Sequence, residues 1–325
     1  MKIGLVFSGG GGKGAYEIGV WKALRELDLE QHVAVVSGTS VGALNAGMFS
    51  QGRYDEAEEF WLNISSEMVL GIKKEDIEKI KFFFLKNYRY VLPATILAWL
   101  ANFKLFGVLR REPLERIIRQ FIDEDRLRNS PISCYATASE LPLLKRTHFK
   151  VNDYKKEMMV QILLASAAIP VLWKSVSING HDFADGGFSR EMLTPGEITD
   201  QSNVPLAPAS LEGCSPIFVV YLDRSNKIPD RMYPHSTLID IVPSRSLGGL
   251  INGTLQFDKE TARNHLDLGY GDTILLFREA MKAEKTLLQM RGSLKDIIGK
   301  KQEFQKLIQV IKSNQEINSH LLGNK

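Results

Sequence analysis

The chain has 325 residues, enough for one large domain or two smaller ones, and its 44% hydrophobic and 24% charged content is typical of a globular protein with a buried core. A formal net charge of +3 is too small to indicate nucleic-acid binding, so no nucleic-acid partner is expected. The two cysteines, Cys134 and Cys214, indicate neither a disulfide framework nor a zinc site, and we expect no metal or cofactor.

The first predicted strand covers residues 3–7. No basic segment, apolar run and small-residue cleavage site of the kind that makes a secretory signal is found there. The sequence therefore predicts a cytoplasmic protein, with export by a signal-less route as the alternative.

A glycine-rich loop, SGGGGKGA at residues 8–15, leads from this strand into a helix predicted over residues 15–27. Such a loop at a helix N-terminus is suited to hold an anion. Its spacing fits a dinucleotide-binding G-x-G-x-x-G, but residues 37–40 stand where the acidic ribose partner is expected. A P-loop needs Ser or Thr after Lys13, and Gly14 stands there. The third interpretation is an oxyanion hole, in which glycine N–H groups and Lys13 stabilise negative charge.

The second predicted strand, residues 33–36, is followed by GTSVG at residues 38–42 and by a helix predicted over residues 41–49. G-x-S-x-G between a strand and a helix is the pattern of a nucleophile elbow. Gly38 and Gly42 lack a Cβ atom and allow the strand and the helix to approach closely around Ser40. Since the amide groups and the positive dipole end of that helix favour negative charge, we predict that Ser40 is a nucleophile. The alternative is a small-residue turn without chemistry.

Residues 53–130 are predicted to be rich in helix, with amphipathic helices over residues 54–62 and 113–122. Between them, residues 79–111 contain seven basic and no acidic residues, interleaved with aromatic and aliphatic ones. Pro93, Asn102 and Lys104 interrupt the apolar run, so no transmembrane helix is predicted. The composition favours a cap that lies peripherally on an anionic lipid surface, or a cap whose apolar face is core. Both interpretations hold if the cap is a lid over a channel for the acyl chain.

Strands are predicted over residues 131–138 and 143–149, and a helix over residues 153–168 with a cap at Asn152 or Asp153. An Asn-Gly turn at residues 179–180 predicts a hairpin that delivers Asp185. A loop at residues 188–215 and strands over residues 217–222 and 238–243 follow. A helix over residues 258–268 is expected to end at Gly269 or Gly271.

The tail from residue 282 to residue 325 has apolar residues at helical spacing and a net charge of +5. A basic amphipathic helix of this kind binds a membrane or a partner, or packs its apolar stripe on the parent domain. Both alternatives stay open at this point.

Three of these motifs together resemble those of the patatin-like phospholipase family. GGGGKG at residues 9–14 is similar to the family's G-G-G-x-[R/K]-G loop, GTSVG to its nucleophile motif, and ADGG at residues 184–187 to its D-G-[G/A] motif. The motifs occur in the family's order, and ASAAIP at residues 165–170 resembles the small-residue segment that precedes the family's aspartate. The resemblance spans roughly the first two thirds of the chain and leaves the tail without a motif.

The resemblance implies a serine lipid acyl hydrolase of the phospholipase A type, which cleaves phospholipid or other lipid esters through an acyl-enzyme. Ser40 would be the nucleophile and Asp185 its only partner, with Gly186 and Gly187 beside the carboxylate. The oxyanion hole would be formed by Gly9, Gly10, Gly11, Gly12, Lys13 and Gly14. Serine needs a base of this kind because its hydroxyl is a weak nucleophile at its free pKa.

The implied fold is α/β, a mainly parallel sheet sandwiched by helices, with a helical cap inserted at about residues 53–130. We expect a catalytic domain over residues 1–280 and an amphipathic helical tail over residues 281–325. In the family a short Asn/Pro stretch closely follows the aspartate motif. Here Asn203-Val204-Pro205 comes later, so an insertion is expected in this wall of the site.

Other assignments remain open from the residues alone. Asp182 competes for the carboxylate role but lacks flanking glycines, and none of the six histidines lies in a recognisable catalytic loop. A Ser–Asp–His chain order is met by His235 or His265. The alternative functions are acyl transfer to an alcohol other than water and non-catalytic lipid binding. The histidines are His32, His148, His181, His235, His265 and His320.

Overall fold

A computed structural model of the chain describes residues 2–72, 109–170, 172–188, 203–224 and 227–322. Most of the basic and aromatic stretch at residues 79–111 lies outside these ranges, so the prediction of a lipid-facing cap stays a prediction. The chain divides into two compact units, Met1–Ile274 and Leu275–Lys325.

The first unit is built on a mixed sheet of eight strands. The strands are β1 (Ile3–Phe7), β2 (Val33–Thr39), β3 (Ser133–Glu140), β4 (Lys145–Lys150), β5 (Val176–Ile178), β6 (His181–Asp185), β7 (Ile217–Val220) and β8 (Leu238–Ile241). Their order across the sheet is β5-β6-β3-β2-β1-β7-β8, and β4 pairs with β3. The pairs β1–β2, β1–β7, β2–β3 and β7–β8 are parallel, whereas β3–β4, β3–β6 and β5–β6 are antiparallel. The predicted α/β class with a mainly parallel central sheet is therefore confirmed.

Helices cover the sheet. They are α1 (Ala15–Glu26), α2 (Val41–Ser50), α3 (Tyr54–Asn63), α4 (Ser66–Leu70), α5 (Glu112–Phe121), α6 (Glu124–Arg128), α7 (Lys156–Ser166), α8 (Ala207–Leu211) and α9 (Lys259–Leu322). The predicted insertion between the second and third strands contains α3, α4, α5 and α6 within the described residues. No helix among the described residues is both long enough and apolar enough to cross a bilayer.

The central strands are buried on both faces, which explains their continuous apolar sequences. On one face, Phe7 of β1 packs edge-to-face against Phe49 of α2 at a centroid distance of 6.2 Å. On the other face, Val6 and Val35 belong to a buried cluster that includes Ala209 of α8. The sheet thus lies between two helical layers.

The prediction that a helix ends at Gly269 or Gly271 is wrong, because α9 continues through both positions. A Cβ atom on Gly269 would lie 2.1 Å from the carbonyl oxygen of Tyr16, and one on Gly19 would lie 1.9 Å from that of Leu266. Gly19 and Gly269 therefore let α1 and the start of α9 cross at backbone contact. Gly269 therefore allows two helices to pack closely and does not end a helix.

The predicted cap of the helix after residue 153 is also wrong, since α7 begins at Lys156 with Lys155 before it. The Asn152 side chain accepts from the N–H of Cys134 at 2.7 Å and donates to the carbonyl oxygens of Leu127 and Ile132 at 2.8 and 3.0 Å. Asn152 therefore forms hydrogen bonds with the backbone at the start of β3 and does not cap a helix.

The second unit, Leu275–Lys325, is helical up to Leu322. Its described apolar side chains Met290, Leu294, Ile297 and Ile298 recur at helical spacing and are 54–62% exposed. The domain boundary expected near residue 280 and the role of the tail stay predictions.

Candidate active site

The sheet register brings Ser40 and Asp185 to the same level of the sheet. Thr39, the last residue of β2, is paired with Thr137 of β3, and Ala138, the next residue of β3, is paired with Asp185 of β6. Ser40 and Asp185 therefore lie on either side of one strand, about two strand spacings or roughly 10 Å apart along the sheet. Their side chains can meet across that strand.

Ser40 occupies a strained turn between β2 and α2. Its φ of 55° and ψ of −125° are unusual for a residue with a side chain. A Cβ atom on Gly38 would lie 2.1 Å from the carbonyl oxygen of Gly42, and one on Gly42 would lie 2.5 Å from that of Phe7. The two glycines thus permit the close turn that the sequence predicts, and α2 begins directly after Ser40.

The Asp185 carboxylate is buried and only partly satisfied. Its Oδ1 accepts a hydrogen bond from the N–H of Gly187 at 2.7 Å, whereas Oδ2 makes no hydrogen bond of ordinary geometry with the described residues. Burial raises the pKa of Asp185 to about 6, and the facing Ser40 hydroxyl and the Gly187 N–H lower it in part. The hydroxyl and the carboxylate are thus close to each other but short of a fully formed hydrogen bond, as is common in apo sites.

Gly186 is required by the packing behind the carboxylate. A Cβ atom there would lie 2.4 Å from the carbonyl oxygen of Thr137 on the neighbouring strand. A side chain at this position would push β6 away from β3 and so move Asp185.

The C-terminal end of α7 contacts both residues of the pair. The Ser166 hydroxyl accepts from the N–H of Ser40 at 3.0 Å and donates to the carbonyl oxygen of Thr137 at 2.7 Å. The N–H of Asp185 donates to the carbonyl oxygen of Ala168 at 2.9 Å. Sequence reasoning noted this small-residue segment only as a resemblance and did not identify Ser166 as a contact of Ser40.

The glycine loop forms a short 3-10 turn, Gly11–Gly14, at the start of α1. A Cβ atom on Gly12 would lie 1.9 Å from the carbonyl oxygen of Gln256, so backbone packs directly against the loop. The N–H groups of Gly10 and Gly11 make no hydrogen bond with the part of the chain that the structure describes. Within the described residues, no acceptor competes with an anion for these two groups.

Asn203 connects the glycine loop with the aspartate motif. Its carbonyl oxygen accepts from the N–H of Gly9 at 3.0 Å, and its Nδ2 donates to the carbonyl oxygen of Gly9 at 3.2 Å. Cβ atoms on Gly9 and Gly187 would lie 2.3 and 2.8 Å from Asn203 Oδ1. The expected insertion before Asn203 lies mostly outside the described residues, but Asn203 itself lies in the wall of the site.

Other candidates for the base lie elsewhere. None of the five histidines whose side chains are described hydrogen-bonds Ser40 or Asp185. His148 bonds the Thr137 hydroxyl at 2.8 Å, and burial lowers its pKa to about 4. His265 is buried beside the glycine loop, where desolvation lowers its pKa. Asp182 is three residues before Asp185 on β6 and so points to the opposite face of the sheet.

An apolar cavity begins at Val41, the residue after Ser40. It contains about 590 Å³ of space, part of it open to solvent, and Asn45 is its one polar lining residue among those described. Residues of α2, α3, α4, α5 and α7 form its walls. They are Val41, Leu44, Asn45, Met48, Ala57, Phe60, Trp61, Ile64, Val69, Leu114, Ile117, Ile118, Phe121, Ile122, Leu163 and Phe257.

Within the described ranges, no three His, Cys, Asp or Glu side chains cluster as metal ligands would. The Lys13 side chain lines a second, polar cavity with Asp223 and Arg224. Its predicted contribution to the oxyanion hole stays a prediction.

A family model described as patatin-like phospholipase matches residues 5–195. An uncharacterised NTE family protein of Mycobacterium tuberculosis is 24% identical over 267 residues, 82% of this chain and 60% of that protein. A patatin-like phospholipase domain-containing protein of Caenorhabditis elegans is 40% identical over 70 residues, 20% of this chain and 5% of that protein. The chain therefore spans about 60% of the length of the mycobacterial relative.

Two solved structures are similar at low identity. VipD from Legionella pneumophila has a TM-score of 0.40 and 16% identity, with 85% of this chain and 66% of that chain covered. ExoU of Pseudomonas aeruginosa has a TM-score of 0.39 and 15% identity, with 86% of this chain and 52% of that chain covered.

Proposed function

This chain belongs to the patatin-like phospholipase family, and from that premise we propose that it hydrolyses fatty-acyl esters of phospholipids through a Ser40–Asp185 dyad. One observation carries the proposal. The buried Asp185 carboxylate faces the Ser40 hydroxyl, and its pKa of about 6 leaves it ionised near neutral pH yet more basic than an ordinary aspartate.

In the proposed reaction the Ser40 hydroxyl attacks the ester carbonyl while Asp185 takes its proton. The tetrahedral intermediate then expels the lysophospholipid, whose glycerol oxygen receives that proton from Asp185. An acyl-Ser40 ester remains. Water attacks this ester, Asp185 accepts its proton, and the proton returns to Ser40 as the fatty acid leaves. No group besides the dyad needs to titrate.

The N–H groups of Gly10 and Gly11, which bond none of the described residues, support the proposed oxyanion hole. Fixed amide donors stabilise a developing oxyanion without reorganisation, and removal of one such donor typically costs about 100-fold or more in rate. The N-terminus of α2, which begins at the residue after Ser40, adds the positive end of its dipole.

The apolar cavity beside Ser40 supports a lipid substrate over a small soluble ester. Its walls reach from Val41 to Phe121, and they bury almost no polar group. Each buried methylene of an acyl chain would contribute about 0.8 kcal/mol, so a long chain would be held strongly there. A peripheral membrane site for the enzyme follows as part of the same proposal, because phospholipid substrates reside in bilayers.

The direct test is fatty-acid release from phospholipid vesicles by the full chain. We expect release by the wild type and almost none by Ser40→Ala, while Ser139→Ala, which alters a buried serine of β3, remains active. Added glycerol separates hydrolysis from acyl transfer, since a transferase would form acylglycerol at the expense of free fatty acid. A wild type that releases no acid from any acyl ester, in water or with glycerol, would overturn the proposal.

A further inference from the structure

A polar cavity lies between Lys13 of the glycine loop and the segments that follow the carboxyl ends of β7 and β8. It contains about 310 Å³ of space. Parallel sheets characteristically bind ligands in crevices at this edge. The lining residues are Lys13, Leu222, Asp223, Arg224, Pro243, Ser246, Leu247 and Gly248.

Lys13 is the unusual member of this lining. Its side chain is only 7% exposed, and its amine makes no hydrogen bond or ion pair with the described residues. Burial lowers the pKa of Lys13, and the charge of Asp223 raises it only in part. A buried ammonium that lacks a full counter-charge is costly, so an anion in the cavity would stabilise it.

Two further groups are suited to hold an anion. Arg224 is exposed at the mouth and has no ion-pair partner within the described ranges. The Ser246 hydroxyl accepts from the N–H of Gly248 at 3.2 Å, which leaves its own proton free to donate. With Asp223 counted, the cavity carries one net positive charge.

We propose that this cavity binds the phosphate of the phospholipid headgroup while the ester lies at Ser40. This inference rests on the proposed function. Lys13 holds the phosphate from inside, Arg224 holds it from the mouth, and Ser246 donates to it. Phosphate fits because it offers several acceptor oxygens to separate cationic and hydroxyl donors.

The distance between the two sites suits one lipid molecule. Strand β1 lies between β2, which ends at Thr39 just before Ser40, and β7, which leads to Leu222. Two strand spacings are about 10 Å. A Cβ atom on Gly10 would lie 2.7 Å from Leu222, so the glycine loop forms the wall between the ester site and the phosphate site. A glycerophospholipid bridges them because its phosphate is only a few bonds from its acyl esters.

The test compares two lipids with identical acyl chains, phosphatidylcholine and diacylglycerol, in micelles of a neutral detergent. Neither lipid carries net charge, and the two differ only in the phosphocholine group; the phosphate measurement below separates phosphate from choline. We expect Arg224→Gln to lower the ratio of the two kcat/KM values, phosphatidylcholine to diacylglycerol, about tenfold, as loss of one charged hydrogen bond predicts. Arg231→Gln, an exposed arginine outside the cavity, is the matched control and should keep the wild-type ratio.

An unchanged ratio in Arg224→Gln overturns the headgroup assignment. A second measurement, the rise in Tm caused by inorganic phosphate over chloride at equal ionic strength, needs no catalysis. We expect that rise in the wild type and its loss in Arg224→Gln and Lys13→Met. If phosphate raises Tm but the ratio of the two kcat/KM values is unchanged in Arg224→Gln, the cavity is a site for free phosphate. If phosphate does not raise Tm in the wild type, the cavity is not a phosphate site. If the wild type hydrolyses neither lipid, the proposed function fails, and the Tm measurement decides the cavity alone.

Discussion

The Ser166 hydroxyl accepts a hydrogen bond from the backbone N–H of Ser40 at 3.0 Å and donates one to the carbonyl oxygen of Thr137 at 2.7 Å. Ser166 is fully buried, so no water can replace this acceptor. Its own carbonyl oxygen accepts from the N–H of Gly186 at 3.4 Å. One residue at the end of α7 therefore contacts the backbone of both the nucleophile turn and the aspartate motif.

Removal of this hydroxyl should disturb the strained turn at Ser40. Ser166→Ala leaves the buried N–H of Ser40 without an acceptor, which costs about 1–3 kcal/mol. We expect kcat to fall about tenfold or more, with little change in KM, because the hydroxyl touches no substrate. Steady-state kinetics on a short-chain ester measures both constants.

Ser139→Ala is the matched control for that experiment. Ser139 is equally buried, and its hydroxyl has no hydrogen-bond partner among the described residues. Its removal should leave kcat unchanged and Tm equal or higher. Equal activity of Ser166→Ala and Ser139→Ala would show that the contact with Ser40 does not position the nucleophile.

Activity should depend on the ionisation of Asp185. Burial raises its pKa to about 6, and only the ionised carboxylate accepts a proton. We therefore expect kcat/KM to rise with pH through about 6 and to reach a plateau above it. A pH–rate profile on a neutral ester measures this midpoint, and a midpoint near 4 would contradict the raised pKa of Asp185.

The same pKa predicts a cost in stability. The folded pKa of about 6 lies above the ordinary value of 3.8, so Asp185 favours folding fully below pH 3.8, and this contribution is lost as pH rises through about 6. The difference between the two pKa values corresponds to about 3 kcal/mol in the free energy of unfolding. Asp185→Asn should thus have a higher Tm than the wild type at pH 8 and a similar Tm at pH 4. Calorimetry at both values tests this, and a lower Tm of the variant at pH 8 would contradict it.

Glu17 should act on stability in the same direction without acting on catalysis. It is fully buried, Oε2 accepts from Asn45 Nδ2 at 2.7 Å, and Oε1 has no partner among the described residues. Burial raises the pKa of Glu17 well above its usual range, so its favourable contribution is lost as pH rises towards that pKa. Glu17→Gln keeps an acceptor for Asn45 and should raise Tm at pH 8. Glu17→Leu, which removes that acceptor, should lower Tm, and a lower Tm of Glu17→Gln would refute the account.

The apolar cavity predicts a change in acyl-chain preference. Ala57→Leu adds side-chain volume inside the cavity and should lower kcat/KM for long acyl esters more than for short ones. Each methylene excluded from the cavity should cost about 0.8 kcal/mol, or about fourfold. Ile117→Ala enlarges the same cavity and serves as the control, because it should not lower kcat/KM for long acyl esters relative to short ones. Chain-length profiles that coincide for both variants and the wild type would place the acyl chain elsewhere.

The sequence predicted the local parts of this site well, because they are encoded in short contiguous segments. The turn at Ser40 is fixed by Gly38 and Gly42, and the hairpin that delivers Asp185 is fixed by the left-handed Asn179 and Gly180. Ser40 follows β2, which begins with the apolar run at residues 33–36, and Asp185 is the last residue of β6 in that hairpin. The fold class therefore follows from local pattern, whereas the order of the strands across the sheet does not.

Contacts between distant segments were not predictable in this way. Ser166 and Asn203 are 126 and 194 residues away from Ser40 and Gly9, which they contact. The family resemblance points to their segments, but no local pattern shows which backbone groups their side chains bind. Gly269 looked like a helix terminator, because its packing against Tyr16 depends on a segment far away in the chain. Lys13 likewise belongs to a cavity whose other walls come from residues 222–248.

The central claim, that Asp185 activates Ser40, is tested most directly by the rate at which a fluorophosphonate modifies the protein, with the adduct located by mass spectrometry. We predict an adduct on Ser40 in the wild type and a rate about 100-fold or more lower in Asp185→Asn, since general-base assistance is of that size. An adduct on another residue, or equal rates in the two proteins, would contradict the account.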